Sequence, residues 1–533
     1  LKSMDALSTH ATRVVNALGD KSVRSVKSMV GLEQEYFLID RDDFLKRKDL
    51  LYTGRTLVGD KTPKGQEFED HYFGAIPSRI LHFMEDVNTE LWKLGIYCSV
   101  EHNEVAPGQY EISSIYNNVN TAIDQNMLTM ETLQRTAIKH NLSCLLHEKP
   151  FAGINGSGKH NNWSLVTDDG QNLFDPGEKP HENVRFLVFA CAVIEAVDNY
   201  PVLLRMAASG PGNDHRLGAN EAPPAIISIF SGDVVFDLLN QLLKTKTLKL
   251  SRDSGNFTPL STLSELPKDN SDRNRTSPFA FTGNKFEFRM LGSSRNPAFT
   301  NTILCAALAE ALDKIAVELE KYKYIQDARE AALQVCQDIV KKHQRILFNG
   351  DGYSPEWLVE AEKRGLPNVK SFTESIESLL DPQVIRMFER FNVLSKSELE
   401  ARYEIYHQQF IKTINTEVLT LTSMVRTELI PALMKEIRQV VRTVDSIKEE
   451  SHYLSAHRRE LITLLDELDE KLTHLEQEKA KADALTDLKE TGLYLQQVVR
   501  PLMDDVRACC DHLERVIPEN IYPIPTYTDL LFK

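Results

Sequence analysis

Glu33 and Glu35 stand two apart in "GLEQEYFLID". Val30, Leu32, Tyr36 and Leu38 alternate with Glu33, Glu35, Phe37 and Ile39, a pattern that predicts a strand. In a strand, residues two apart point to the same face. Two carboxylates one pleat apart repel each other, and burying them raises a pKa unless a cation intervenes. Alone, such a pair reads as a solvated polar face. Three further segments change that reading. "VEHNEVAPGQYE" sets Glu104 and Glu111 seven apart across a Pro-Gly turn. "NGSGKHNNWSL" predicts a strand directly after a glycine-rich loop, with His160, Asn162 and Ser164 on one face and Asn161 and Trp163 on the other. "GNKFEFRML" sets Lys285, Glu287 and Arg289 opposite Phe286 and Phe288. Together these strands describe a cavity lined with charge. Glu33, Glu35, Glu104, Glu111, Glu287 and His160 suit hard divalent cations with mostly oxygen ligands, Mg2+ or Mn2+. Zinc is disfavoured, because no cysteine or clustered histidine is offered.

The run Gly153-Ile-Asn-Gly-Ser-Gly158-Lys159 satisfies seven positions of a phosphate-binding loop. The eighth, which should be Ser or Thr, is His160. The segment from Asn161 to Leu165 alternates like a strand, whereas such a loop opens a helix. A phosphate-binding loop is therefore rejected, and the glycines are expected to let the backbone approach a small bound molecule.

The elements that must position these residues change character along the chain. To about residue 300, short strand-like runs alternate with helical stretches and Gly/Pro turns, as at Ala106-Pro107-Gly108 and Pro223-Pro224. From about Asn301 the pattern is helical, with Leu304, Leu308, Leu312, Ile315 and Leu319 at three- and four-residue intervals. Leu461, Leu465, Leu468, Leu472 and Leu475, spaced 4, 3, 4, 3, predict a coiled-coil-like hairpin or bundle concerned with packing and assembly. The tail after Pro518 is expected to run extended over a surface. These boundaries predict a catalytic region over 1–325, a helical continuation over 326–424, and the helical hairpin or bundle with its tail over 425–533.

With 533 residues, 42% hydrophobic and 26% charged, the chain has the composition of an ordinary globular protein with a large core. Its net charge of -15 argues against nucleic acid as a partner, because phosphate binding needs a basic footprint. The seven scattered cysteines predict reduced thiols and a cytoplasmic setting. The most apolar run, Phe186 to Ile194, is closed by Glu195 and Asp198, far short of the ~20 residues of a membrane span. No signal-peptide pattern is visible.

Five blocks in order carry a resemblance: Glu33-x-Glu35, "NEVAPGQYE", "NGSGKHNNWSL", "NEAPPA" and "NRTSPFAFTGNKFEFR". In them the sequence resembles the glutamine synthetase family. "TGRTLVGD", "DHYFG" and "NGDGYSPEWLVEAEKRGLPN" look like its type III branch. The resemblance implies an α+β catalytic fold, in which a curved antiparallel sheet lines a metal funnel flanked by helices, followed by a largely helical C-terminal region. Only 32 residues precede Glu33, too few for the family's N-terminal β-grasp domain, so that domain is expected to be absent from this chain.

By motif position, the resemblance implies that Glu35, Glu104 and Glu111 hold a metal nearer glutamate. Glu33, His160 and Glu287 hold one nearer the phosphates of ATP. Asn155 and Gly156 contact the amino acid, and Arg216 and Arg289 pair with its carboxylates. Arg216 sits one residue closer to the flap glutamate than is common in the family. Arg275, in "NRTS", neutralises the transferring phosphoryl group, and Glu221, in "NEAPPA", is the flap glutamate that takes a proton from ammonium. Ser164, Lys285 and Asn162 lie on the nucleotide side, where the chain departs from many relatives: they have His at Asn162, Arg at Lys285 and Arg at Ala280. The implied activity joins ammonia to L-glutamate through γ-glutamyl phosphate, giving glutamine, ADP and phosphate. The implied assembly is a homo-oligomer of two stacked hexameric rings. The choice of ammonia over a larger amine depends on pocket shape.

Overall fold

The structure is a computed structural model, and it describes residues 1–218, 222–245, 248–249, 274–447 and 451–533. Its frame is a nine-stranded sheet. The strands are β1 (Val26–Asp40), β2 (Cys98–Asn103), β3 (Gln109–Ser114), β4 (Asn117–Asn118), β5 (Leu142–Leu145), β6 (Lys159–Thr167), β7 (Ile229–Phe230), β8 (Phe279–Phe281) and β9 (Phe286–Phe288). Their order is β2-β3-β1-β6-β9-β8-β7, with β4 and β5 also paired to β1. The described pairs are antiparallel except β7 with β8, which is parallel, so the sheet is mixed and the fold α+β.

β1 is the axis of the molecule, and its sequence explains how it can be. Val30 and Leu32 point away from the two glutamates into the main core with Trp163, Phe286 and Phe288. Further along, Tyr36 and Leu38 join a second core with Phe83, Val87 and Leu133, from the helices Ser78–Lys93 and Val119–Lys139. Phe37 and Ile39, on the glutamate face, are covered in a third core by Tyr527, Leu530 and Leu531. The face is therefore charged at one end and apolar at the other. The tail is accordingly not extended over a surface. Its last turn is the helix Tyr527–Leu531, opened by a capping box from Thr526 and Asp529, and its apolar side closes this third core.

Behind the sheet, the helix Val184–Asn199 is buried almost all round and packs against Ala298–Leu319 and Ile325–His343. Leu304, Leu308, Leu312, Ile315 and Leu319 are all buried, as their spacing predicts. No single helix among the described residues is long and apolar enough to cross a membrane.

The C-terminal helices form a bundle. The helix Lys396–Met424 continues through a π turn, Val425–Leu429, into Ile430–Ser446, so position 424 lies inside one helical run. The helix His452–Ala484 packs against it and against Arg500–Val516. Leu461, Leu468, Leu472 and Leu475 are buried at the seam together with Leu464, while Leu465 is half-buried. A second π turn, Leu495–Val499, precedes Pro501 as the first precedes Pro431. A proline inside a helix offers no N–H and crowds the preceding turn, and widening that turn relieves both faults.

Candidate active site

Strand register, rather than proximity in sequence, gathers the charged residues. Glu35 pairs with Glu111 across β1 and β3, and Glu111 pairs with His102 across β3 and β2. Glu33 pairs with His160 across β1 and β6, and Asn162 with Glu287 across β6 and β9. Paired residues share a face, as do residues two apart along a strand. One side of the sheet therefore presents His102, Glu111, Glu33, Glu35, His160, Asn162 and Glu287 together.

The side chains converge as the register requires. His160 Nδ1 lies 2.9 Å from Glu33 and 3.4 Å from Glu287, and its Nε2 lies 3.8 Å from Glu35. Among the described residues, three groups have ligand atoms within 4.8 Å of one another: Glu33, His160 and Glu287; Glu35, Glu111 and His160; and His102, Glu104 and Glu111. The six expected ligands thus meet in adjoining groups, with Glu111 and His160 each shared by two. His102 was not singled out in the sequence, although it stands two before Glu104, the spacing that marked Glu33 and Glu35. Its Nδ1 is 3.6 Å from Glu104 and its Nε2 3.3 Å from Glu111.

The electrostatics follow from this crowding. Burial pushes the Glu33 carboxyl up. Its bond with His160, that histidine's charge, the Asn162 amide at 2.8 Å and Arg289 outweigh burial and hold Glu33 well below the usual carboxylate range. For His160, burial and Arg289 push the pKa down, but the hydrogen bond to Glu33 and the charges of Glu35 and Glu33 carry it above the ordinary value. The bond to Glu111 is the main reason His102 is also raised. The site therefore lowers its carboxylate repulsion by drawing protons onto its histidines. The donor set is five carboxylates and two imidazoles at ligating separations, mostly buried, and it fits hard divalent ions.

Two guanidiniums flank this cluster. Arg289 donates to Glu287 at 3.0 Å and is buried. Arg216 is 2% exposed, its hydrogen bonds to Asn213, Met290 and Arg289 are long at 3.3–3.4 Å, and its Nε has no partner. The Arg289 Nε is likewise unpartnered. Buried guanidiniums with unused donors suit a carboxylate ligand.

The glycine-rich loop lies directly against Arg216. A Cβ on Gly158 would stand 2.3 Å from an Arg216 terminal nitrogen, and one on Gly156 would stand 2.9 Å from its Cγ and 2.3 Å from the Glu148 carbonyl. These glycines thus admit a protein side chain, where the sequence led us to expect a small bound molecule. After them the backbone is the strand β6, so no helix opens here. Asn155 is buried and held by Gln66, which donates to the Asn155 Oδ1 at 2.7 Å and accepts from the Asn155 backbone N–H at 3.0 Å. Gln66 is 89 residues away in sequence and carries no local signal.

The remaining expected residues lie around this centre. Ser164 and Lys285 are half-buried on β6 and just before β9. Asn162 is committed to Glu33. Arg275 is exposed at the turn before β8, 5.9 Å over the Tyr72 ring, which lies 6.3 Å from the His102 ring. Glu221 falls outside the described residues.

The family profile "Glutamine synthetase, catalytic domain" matches residues 9–199, and "Glutamine synthetase C-terminal domain" matches 331–448. A protein of Butyrivibrio fibrisolvens named "Glutamine synthetase" is 43% identical over 540 residues, covering 100% of this chain and 76% of its own. "Type-3 glutamine synthetase" of Dictyostelium discoideum is 41% identical, covering 100% of this chain and 74% of its own. "Glutamine synthetase" of Bacteroides fragilis is 38% identical, covering 100% and 75%.

Proposed function

The chain belongs to the glutamine synthetase family, whose reaction joins glutamate and ammonia, and from that premise we propose that it forms L-glutamine through γ-glutamyl phosphate, releasing ADP and phosphate. A carboxylate is a poor electrophile, because its charge repels ammonia and its oxygen leaves badly. Transfer of the ATP γ-phosphoryl group to the glutamate γ-carboxylate corrects both faults. The observation that carries this reading is the meeting of two carboxylate groups at His160, beside the buried guanidiniums of Arg216 and Arg289.

In this reading Glu35, Glu104 and Glu111, with His102, hold a divalent ion nearer glutamate, and Glu33, His160 and Glu287 hold one nearer the phosphates. Such ions, Mg2+ or Mn2+, offset phosphate charge; two unit charges about 4 Å apart interact by ~4 kcal/mol at an effective dielectric of about 20. Arg216 and Arg289 fork onto the glutamate carboxylates, and Asn155 and Gly156 receive its amino-acid end. Asn162 orients Glu33 through its amide, while Ser164 and Lys285 face the nucleotide. Arg275 stabilises charge on the transferring group. Glu221 takes the proton from ammonium and helps to exclude water. The family likeness also supports a homo-oligomer of two stacked hexameric rings and a cytoplasmic location, and we keep a division of the chain near residue 325 but not the one expected at 424, which falls inside one helical run.

ATP-dependent phosphate release by the full chain, with glutamate and with or without ammonium, tests the reading. Release that needs glutamate and yields glutamine only with ammonium is expected. Release with a polyamine but not ammonium would reassign the acceptor, and no release with any amine would refute the ligase.

A further inference from the structure

The helix Arg500–Val516 has two unlike faces. Met503, Val506, Cys510 and Leu513 are buried in the apolar core of the C-terminal bundle. Arg500, Asp504, Arg507 and Asp511, spaced 4, 3, 4, form a charged stripe along the helix. On a free bundle helix such a stripe faces water. Here Arg500, Arg507 and Asp511 are turned inward, onto the turn before Arg216 and onto residues 56–59, while Asp504 is exposed.

Arg500 is largely buried and donates to Asp214 at 3.2 Å and to His215 Nε2 at 2.5 Å. A guanidinium can only donate, so the imidazole nitrogen accepts and His215 is neutral at this contact. Burial, and then Arg500 and Arg55, hold the His215 pKa well below its ordinary value, which agrees. Asp214 is gripped at its other oxygen by Arg205 at 2.9 Å, and the Phe372 N–H donates at 3.0 Å to the oxygen that Arg500 holds. The 3-10 turn Pro211–His215 is thus bolted to Arg500, and the next residue is Arg216.

The stripe continues to residues 56–59 and, through the Tyr527 hydroxyl, to the glycine-rich loop. Arg507 donates to the carbonyls of Thr56 and Gly59 at 3.1 and 2.8 Å and to the Tyr527 hydroxyl at 3.0 Å. Asp511 accepts from the Gly59 N–H at 2.7 Å. The Tyr527 hydroxyl in turn accepts from the Ala152 N–H at 3.0 Å, at the start of the glycine-rich loop. Apolar residues would bury the same area without desolvating charge, so buried ion groups are weak evidence for stability. Their best-attested use is to fix one arrangement among several.

The geometry points to a positioning role for this helix: Arg500 sets the turn that aims Arg216 at the substrate. The role rests on the ligase reading for what Arg216 binds, but not for whether Arg216 moves.

The test uses the full chain. Arg500→Met is expected to raise the KM for glutamate about tenfold, the scale of one lost charge-assisted hydrogen bond, with the KM for ATP unchanged. Arg500→Lys, which keeps the charge without the fork, should recover part of this. An electron density map of Arg500→Met is expected to show the Arg216 guanidinium displaced. Arg216 in its wild-type place, an unchanged glutamate KM, or equal rises for glutamate and ATP would overturn the role. If the wild type releases no glutamate-dependent phosphate, the ligase reading fails, and the map still decides the positioning. Should Arg500→Met not fold, His215→Asn, which keeps an acceptor, is expected to bind glutamate better than His215→Leu; equal behaviour would overturn the role.

Discussion

His160 faces Glu33 in direct register across β1 and β6, with its Nδ1 2.9 Å from the Glu33 carboxylate. Because the net effect of its surroundings raises the His160 pKa, this ring keeps its proton to higher pH than an ordinary histidine. A metal ligand must be neutral imidazole, so ion binding displaces that proton. Divalent-ion affinity is therefore expected to climb as pH rises and to level off only above the raised His160 value. Calorimetry of Mg2+ or Mn2+ binding across pH checks this. His160→Asn should bind at least ~10–100-fold more weakly and climb less steeply, since His102 still has a proton to release. An affinity indifferent to pH in the wild type would contradict it.

Arg216 and Arg289 should separate when each is changed to Gln. Arg289 also donates to Glu287, whereas Arg216 has no acidic hydrogen-bond partner of its own among the described residues. Each variant is expected to weaken glutamate binding by ~10–100-fold, the range for hydrogen bonds to a charged group. Only Arg289→Gln should also alter divalent-ion affinity, because it releases a ligand carboxylate. Parallel ion and glutamate titrations of the two variants measure the difference.

Gly156→Ala would set a Cβ 2.3 Å from the Glu148 carbonyl oxygen, a backbone atom that cannot swing aside. Overpacking of this kind costs ~1–3 kcal/mol. Urea unfolding should show that loss, and glutamate affinity should fall with it, since the same Cβ meets Arg216. A variant of wild-type stability would mean that the loop relaxes freely.

Lys159 is fully buried behind the sheet, where its ammonium donates to the Arg295 carbonyl. Burial brings its pKa from 10.5 down to about 7, with Glu148 opposing and Arg295 assisting. Between those values the unfolded chain holds the proton and the folded one does not, so stability rises with pH. The contribution is complete above the unfolded value and lost as pH falls through about 7. Lys159→Met should flatten the stability curve in that window by about 1.4 kcal/mol per pH unit relative to wild type. Denaturant unfolding of both proteins across the window is the measurement, and parallel curves would sink the assignment.

Much of the site was legible because strand alternation is local. The rule that put Glu33 and Glu35 on one face applies to His160 with Asn162 and to Glu287 with its neighbours, and each pair lies on a strand or at its end. Applied once more to "EHNE", it would have found His102. Gln66 and the helix Arg500–Val516 obey no such rule. Their partners, Asn155, Asp214 and His215, lie far off in sequence, and nothing near either end announces the contact. The tail departs from expectation for a related reason. Pro518 to Pro525 suggest an extended strap, but Tyr527, Leu530 and Leu531 find an apolar patch made by Phe37, Ile39 and Phe151.

Chemical identity was thus written in the chain: which side chains could ligate an ion and which faces they would occupy were consequences of residue type and a two-residue period, while the pairing of Arg216 and Arg289 with a carboxylate was implied by the family resemblance. Register was not. That Glu33 meets His160, that Glu111 and His160 are each shared between groups, and that Arg216 lies under Gly158 were decided when distant strands and helices packed together, because pairing and close approach depend on the whole core.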